Sequence, residues 1–122
     1  MKTNDRIVQK PWGSERIFAA NRRYAGKLIE IRAGETLSYQ YHLVKEETIH
    51  VLSGILGMET ETDGRRTLLA LGPGETFHVS PGTRHRMFAE DGNVLLVEVS
   101  SPELDDVVRL EDRYGREGTS QP

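Results

Sequence analysis

Cysteine is absent from this chain of 122 residues, so disulfide bonds and thiolate metal ligands are both excluded. A bound metal ion would have to be held by histidine, carboxylate or amide side chains. Long apolar runs are missing as well, and neither a signal peptide nor a membrane-spanning helix is predicted. We therefore expect a cytoplasmic protein that has no membrane partner.

Neither sign of charge dominates the sequence, since 16 basic residues and 19 acidic residues leave a formal charge of -3. The sequence shows no basic face interleaved with aromatic residues that could follow a phosphate backbone. Nucleic acid is therefore not expected as a partner. The length and the 36% of apolar residues suffice for one compact core, so one fold must carry the function.

Glycine and proline recur at short intervals and separate runs rich in β-branched and apolar residues, such as KLIEIRA, TIHVLSG and NVLLVEVS. This rhythm is typical of an all-β sandwich or barrel. Asp63-Gly64 and Asp91-Gly92 lie between such runs and are predicted to form hairpin turns. Trp12 is expected to anchor an N-terminal arm on the barrel by burying its large ring.

Residues 1–116 are predicted to form a single domain, made of the barrel, the N-terminal arm and a C-terminal cap. The cap, PELDDVVRLEDRYGR, is expected to be short and either irregular or helical. Residues 117–122 are small and polar, and this composition predicts a disordered tail.

A group of polar side chains in two separate stretches points to a metal site. Gln40 and His42 face the same side of a predicted strand, because side chains alternate with period two. A hairpin would bring Glu47 back against this pair, and His85 opens another strand after the turn at Pro81-Gly82. These side chains could together hold a divalent ion and leave positions open. Taken singly, each has a simpler interpretation, as a polar residue on a solvent-facing strand or a histidine bonded within a turn.

The spacing of these four residues resembles the two motifs of the cupins, which are small β-barrels. The first motif would cover residues 34–54 and the second residues 74–89, with the four side chains at the ligand positions. Gln40 stands where the common motif has a histidine.

A closer resemblance runs from about Lys10 to Arg116. The stretches KPWGSE, YAGKLIEIRAGETLSYQYH, PGTRHR and DDVVRLEDRYGR look like the cupin domain of type II mannose-6-phosphate isomerases, which is fused to a mannose-1-phosphate guanylyltransferase. That family also has glutamine at the position of Gln40. The resemblance implies a double-stranded β-helix, or jelly-roll barrel. It further implies a stand-alone isomerase-like domain, because no glycine-rich nucleotide loop precedes residue 10.

The resemblance implies a metal-dependent aldose-ketose isomerase that acts on a small sugar or sugar phosphate. The four side chains would hold the divalent ion; zinc is expected, and manganese or iron are alternatives. Lys45 stands where the family has arginine, and Arg86 lies in the matching stretch PGTRHR, so both are candidate catalytic residues. Cupins of this kind commonly pair through their barrel edges, and a homodimer is therefore expected.

The sequence departs from the family beside two of the ligands. Where the family has histidines and a tryptophan, this chain has four other residues: Leu43, Val44, Thr48 and Ile49. The departure leaves two alternatives open. One is a non-catalytic cupin that binds a sugar-like or acidic ligand, and the other is a different cupin enzyme, such as an iron oxygenase or a sugar ketoisomerase or epimerase.

Overall fold

The computed structural model describes residues 1–119, which form twelve strands. The strands are β1 Arg6–Lys10, β2 Gly13–Ala20, β3 Ala25–Ile31, β4 Tyr39–Tyr41, β5 Glu47–Ser53, β6 Leu56–Thr62, β7 Arg65–Leu71, β8 Thr76–Val79, β9 His85–Phe88, β10 Val94–Ser100, β11 Val108–Glu111 and β12 Gly118–Thr119. The all-β class predicted from the sequence is confirmed. Within this described range there is no helix long and apolar enough to cross a membrane.

Two six-stranded antiparallel sheets make up the fold. The first has the order β1-β2-β3-β10-β5-β8, and the second has the order β12-β11-β4-β9-β6-β7. Successive strands often lie in different sheets. For example, β3 and β5 belong to the first sheet, while β4, which lies between them in sequence, belongs to the second. This alternation encloses one interior between the sheets and gives the double-stranded barrel expected from the sequence.

The core follows from strict alternation along the strands. In β5 the side chains of Ile49 and Val51 are fully buried, while His50 between them is exposed. The same inward rows in β3, β6 and β10 supply the other fully buried apolar side chains of the cluster, among them Ile31, Leu56, Met58, Val94 and Leu96. Trp12, in the turn between β1 and β2, belongs to this cluster and is 2% exposed, which confirms its predicted anchoring role.

At one end of the barrel the inward rows change from apolar to polar residues. Glu47 precedes Ile49 on the inward face of β5, His85 precedes Met87 on β9, and Glu98 follows Leu96 on β10. Each of these polar side chains is buried. The alternation that builds the core therefore also directs these groups into the barrel.

One of the two predicted hairpin turns is confirmed, and the other is wrong. Asp63 and Gly64 join β6 to β7, and both have positive φ (52° and 76°), as the common two-residue hairpin turn requires. Asp91-Gly92 instead connects β9 in one sheet to β10 in the other, so no hairpin forms there. A turn sequence specifies a reversal of the chain, but the sheet that the next strand joins depends on non-local burial.

The C-terminal cap is irregular up to β11, and the helical alternative is not realised within the described residues. β11 pairs with β4, and the short strand β12 pairs in turn with β11. The predicted tail, 117–122, overlaps β12, and its last three residues lie outside the described residues. Its disorder stays a prediction.

Candidate metal centre and its pocket

Three of the four predicted ligands meet inside the barrel. His42 Nε2 lies 3.1 Å from Glu47 Oε1, and His85 Nε2 lies 3.3 Å from the same oxygen. One ligating atom from each residue falls within 4.8 Å of the others, and all three residues are buried. The arrangement brings two imidazoles and a carboxylate to one point in the interior.

The predicted hairpin between the first two ligands and Glu47 is wrong. β4 lies in the second sheet and β5 in the first, so the connection crosses the barrel. Glu47 therefore faces His42 and His85 from the opposite sheet instead of from a neighbouring strand. The ligands converge because both sheets direct their inward rows at the same interior.

Backbone carbonyls fix the orientation of both imidazole rings. His42 Nδ1 lies 2.5 Å from the carbonyl oxygen of Asp106, and His85 Nδ1 lies 2.9 Å from that of Thr83. A carbonyl oxygen only accepts hydrogen bonds, so each Nδ1 donates and each Nε2 of a neutral ring carries a lone pair.

The atoms that face each other at this point are therefore all acceptors. The buried atoms Glu47 Oε2 and His85 Nε2 make no hydrogen bond within the part of the chain that the structure describes. Three acceptor groups can share so small a space only if a proton or a metal cation lies among them. This donor set, two nitrogens and a carboxylate, suits a divalent ion.

Gln40, the fourth predicted ligand, lines the same pocket from β4. It lies directly opposite His85 in the pairing of β4 with β9, and its Oε1 accepts a hydrogen bond from Ser38 Oγ at 3.2 Å. The amide is thus beside the other three groups, and its role as a ligand stays a prediction.

Lys45 lies in the same pocket and contacts two buried carboxylates. Its Nζ is 3.1 Å from Glu98 Oε2 and 3.3 Å from Glu47 Oε2. Burial opposes the ammonium charge, but Glu98 and Glu47 outweigh this effect and raise the pKa of Lys45 above its ordinary value. Lys45 is therefore held as a cation.

The two carboxylates respond in opposite directions. Burial alone would raise the pKa of Glu47, but the charge of Lys45, together with hydrogen bonds that His42 and His85 donate when their rings carry a second proton, holds it well below its usual range. Burial and the neighbouring charge of Glu47 raise the pKa of Glu98 to about 7. The pocket thus combines a fixed anion with a second carboxyl group whose charge depends on pH.

Arg86, the other candidate catalytic residue, does not join this group. It follows His85 on β9 and so points to the opposite face. There its Nη2 donates to the carbonyl oxygen of Glu111 at 3.3 Å, and its guanidinium lies 5.9 Å from the ring of Tyr39. The structure therefore brings together five of the six predicted site residues and leaves Arg86 outside the pocket.

A family model described as mannose-6-phosphate isomerase C-terminal matches residues 1–112. The chain belongs to this family. Curated relatives include the mannose-1-phosphate guanylyltransferase ManC of Salmonella typhimurium, 35% identical over 116 residues, and the xanthan biosynthesis protein XanB of Xanthomonas campestris, 35% identical over 115 residues. Each match covers 91% of this chain but only 23% and 24% of the two relatives, so the chain spans about a quarter of their length.

Solved structures give the same fold. CapF from Staphylococcus aureus matches 90% of this chain and 35% of its own, with a TM-score of 0.77 at 16% identity. KdgF from a Halomonas species matches 82% and 86%, with a TM-score of 0.66 at 21% identity. Oxalate decarboxylase from Bacillus subtilis matches 88% and 30%, with a TM-score of 0.74 at 16% identity. These likenesses establish the cupin fold and nothing further.

This member of the mannose-6-phosphate isomerase C-terminal family presents apolar side chains beside His42, the second predicted ligand. Leu43 and Val44 are 66% and 65% exposed in the connection from β4 to β5. The connection is held by Asp106, whose carboxylate accepts the backbone N–H groups of residues 43–45 at 2.7 to 2.9 Å. Burial would raise the pKa of Asp106, but these three donors hold it below its ordinary value.

Sequence reasoning missed several residues of the pocket of this family member. Asp106 binds the backbone of residues 43–45, which are more than 60 positions away in the sequence, so no local pattern identifies it. Glu98 could have been found, because a charged residue within the apolar run NVLLVEVS is unusual in a strand. Lys27 interrupts β3 in the same way, and its Nζ forms a buried ion pair with Glu15 Oε1 at 3.1 Å.

Proposed function

We propose that this domain binds a divalent metal ion and interconverts the aldose and ketose forms of a small sugar or sugar phosphate. One observation supports the proposal above all: two oriented imidazoles and a carboxylate meet as acceptors in a buried site that borders a pocket. The ion would be held by Gln40, His42, Glu47 and His85. Zinc is the first candidate, and manganese and iron are the alternatives. When bound, the ion would supply a Lewis acid for the carbonyl and hydroxyl oxygens of the sugar.

Isomerisation requires a proton to leave the carbon beside the carbonyl and negative charge to develop on oxygen. Lys45 stays protonated because of its two carboxylate neighbours, so in this proposal it stabilises the developing charge and does not abstract the proton. Glu98 orients Lys45 through their contact at 3.1 Å. Arg86 keeps its predicted role as a proposal, and from outside the pocket it would act by positioning β9 and His85 without touching the substrate.

The first test is elemental analysis of untagged protein purified without chelators. About one metal ion per chain is expected in the wild type. His42→Ala and His85→Ala should each lose the metal and lower the melting temperature, because the ion binds only the folded state. His50→Ala is the matched control, since His50 is exposed on the outer face of β5. Full metal content and unchanged melting in both ligand variants would contradict the metal site.

The second test is turnover. Metal-loaded protein is incubated with mannose 6-phosphate, and formation of fructose 6-phosphate is followed by a coupled assay. Conversion that disappears in Glu47→Gln and is at least partly retained in Arg86→Gln supports the proposal. Absence of any conversion, with metal bound, would exclude mannose 6-phosphate as the substrate of the proposed isomerase.

One observation favours a second candidate, a binding module without catalysis. The exposed Leu43 and Val44 stand where the family resemblance leads one to expect histidines, so the connection next to His42 offers fewer groups that could carry a proton. Sugar phosphate binding in a calorimeter, without turnover under any metal, would identify this candidate.

The proposed setting is a cytoplasmic homodimer with a small-molecule sugar ligand. Sedimentation velocity tests the oligomeric state, and a single species at the mass of one chain over a wide concentration range would remove the dimer from the proposal.

A further inference from the structure

The outer face of the first sheet is more apolar than a face in contact with water needs to be. On β10 the outward row is Leu95, Val97 and Val99, whereas the inward row includes Glu98. A strand of an antiparallel sheet that is exposed on one side usually alternates between apolar residues inward and polar residues outward. The outward row of β10 is instead apolar along its length, which is typical of a strand that is covered on both faces.

Neighbouring strands extend this row into one patch. Leu28 on β3 lies directly opposite Val97 on β10. The ring of Phe18 on β2 lies over Gly26, and Gly26 is opposite Val99 in the strand register. The apolar patch consists of six outward side chains, three of them exposed and three half-buried: Ile7, Phe18, Val99, Leu28, Leu95 and Val97.

The outer face of the second sheet is built differently. There Tyr39 donates a hydrogen bond to Glu61 at 2.6 Å, and the guanidinium of Arg66 lies 3.8 Å from the centre of the Tyr39 ring. Arg66 also pairs with Glu111, from β7 to β11 across three intervening strands. Charged side chains of the described residues therefore cover much of this face, whereas the apolar patch has no such cover among them.

The size of the first sheet's outer face fits a second copy of the chain. Its six strands span about 24 Å at their usual spacing, and strands of seven residues run about 23 Å. The flat projection is therefore about 550 Å², and the accessible area is larger because the side chains stand out from the sheet. This area approaches the ~800 Å² that each partner of a specific dimer buries.

Charges at one end of this face favour one arrangement of two copies. Arg22 and Arg23 are exposed in the turn from β2 to β3, and neither guanidinium is paired within the described residues. Glu46, just before β5, is exposed at the same end of the sheet, where it contacts His78. In a twofold dimer with β3 stacked on the partner's β10, β2 lies over the partner's β5. The basic turn of each copy then lies near the partner's Glu46, and opposite charges meet.

We propose that the chain forms a twofold dimer through the apolar patch, with the outer faces of the two first sheets stacked about 10 Å apart. The existence of a dimer rests on the proposed function, whereas the surface follows from strand register and burial. The family resemblance favours pairing through barrel edges, so this interface differs from the one expected from the sequence. Glu47 and Glu98 lie on the inward side of the same sheet. A partner on the outer side therefore stabilises the strands that hold these carboxylates.

The test is sedimentation velocity of the full chain, purified without chelators, over a wide range of concentration. Val99→Lys should weaken the dimer by about 100-fold or more, because each copy then presents an unpaired charge to an apolar interface. Val99 is 51% exposed in the single chain, so the variant should fold, and a thermal melt checks this. Leu68→Lys is the matched control, because Leu68 is an exposed leucine on β7 at the edge of the second sheet and should not affect the dimer.

A charge reversal tests how the two copies are arranged. Arg23→Glu should weaken the dimer by about 10-fold, since it places like charges near each other twice in a symmetric interface. Adding Glu46→Arg to the same chain should restore most of the affinity. A double variant that dimerises no better than Arg23→Glu alone would refute the stacking of β3 on the partner's β10.

A dimer that survives Val99→Lys and dissociates in Leu68→Lys would overturn the inference in favour of the β7 edge. A wild type that keeps the mass of one chain would overturn the dimer, and the apolar patch would then belong to a different protein. Conversion of mannose 6-phosphate by such a monomer would support the isomerase and refute the interface. A wild-type dimer that is lost in Val99→Lys, without any conversion, would support the interface and exclude that substrate.

Discussion

Replacing Lys45 by methionine tests the buried charge network most directly. The Lys45 ammonium contacts Glu98 and Glu47 at 3.1 and 3.3 Å, and the three side chains are 5%, 5% and 2% exposed. Methionine is similar in length but carries no charge, so two carboxylates would be left in the interior of the metal-free protein without their shared cation. The perturbation therefore removes charge at nearly constant volume.

The expected loss is large because one member of a buried ion pair is removed. Such a change costs about 3–5 kcal/mol in the free energy of unfolding, whereas a solvent-exposed pair contributes at most about 1 kcal/mol. Lys45→Met combined with Glu98→Leu should recover part of the loss, because the second substitution removes one of the two carboxylates that lost their shared cation. The loss should also be larger at pH 8 than at pH 6. At pH 6 Glu98 is protonated, so fewer unpaired negative charges remain when Lys45 is removed.

The assay is urea unfolding of metal-free protein in the presence of a chelator, followed by circular dichroism at pH 8 and pH 6. Lys2→Met is the control, since it removes a lysine charge from an exposed position at the start of the chain. A loss below about 1 kcal/mol at pH 8 would place Lys45 among exposed pairs and refute the network. A double variant as unstable as the single one would refute the role of Glu98.

Three further predictions concern pH, a close backbone approach and the connection that carries His42. Folding raises the pKa of Glu98 from 4.5 to about 7. Protonated Glu98 therefore stabilises the fold fully at acid pH, and the free energy of unfolding falls by about 3 kcal/mol as the pH rises through this window. Glu98→Gln should abolish this pH dependence. Chelator-treated protein unfolded in urea from pH 4 to pH 8 measures this, and parallel profiles for the two proteins would contradict it. Gly54→Ala should lower the free energy of unfolding by about 2 kcal/mol or more, because Gly54 has a φ of +81° and an added Cβ would lie 2.2 Å from a backbone carbonyl oxygen. Gly64→Ala is the comparison, since Gly64 has a similar φ of +76° but open space around it, and it should cost about 1 kcal/mol. Equal losses for the two variants in thermal melts would contradict this prediction, because they would show that the neighbouring backbone moves to relieve the clash. Asp106→Asn should lower metal affinity about tenfold and the free energy of unfolding by about 1–3 kcal/mol, because it weakens the hydrogen bonds to the backbone N–H groups of residues 43–45. A metal titration with unchanged affinity would refute the role of this connection in placing His42.

The local rules predicted the strands and the direction of the inward side chains. Alternation with period two places Gln40 and His85 toward one interior, and it also turns Arg86 away from it. The turn at Asp63-Gly64 was predictable in the same way, because this residue pair readily adopts the positive φ values that the structure shows. These features depend on residues a few positions apart, so the sequence specifies them without reference to the rest of the fold.

Strand partners were less accessible from the sequence. β4 and β5 are consecutive in sequence, yet they lie in different sheets, and Glu47 reaches His42 across the barrel. The turn at Asp91-Gly92 likewise joins two sheets. Local sequence encodes where the chain turns, but burial of the whole set of inward rows selects which strands pair.

By itself, the sequence determined an all-β chain, the spacing that predicts His42, Glu47 and His85 as metal ligands, and the absence of any thiolate alternative. Only the tertiary structure decided that Lys45 is held as a cation by Glu98 and Glu47, and that Lys10 and Arg109 line the same pocket. The physical reason is that alternation and turns act over a few residues. Charge and acidity instead depend on groups that come close only when two sheets enclose them.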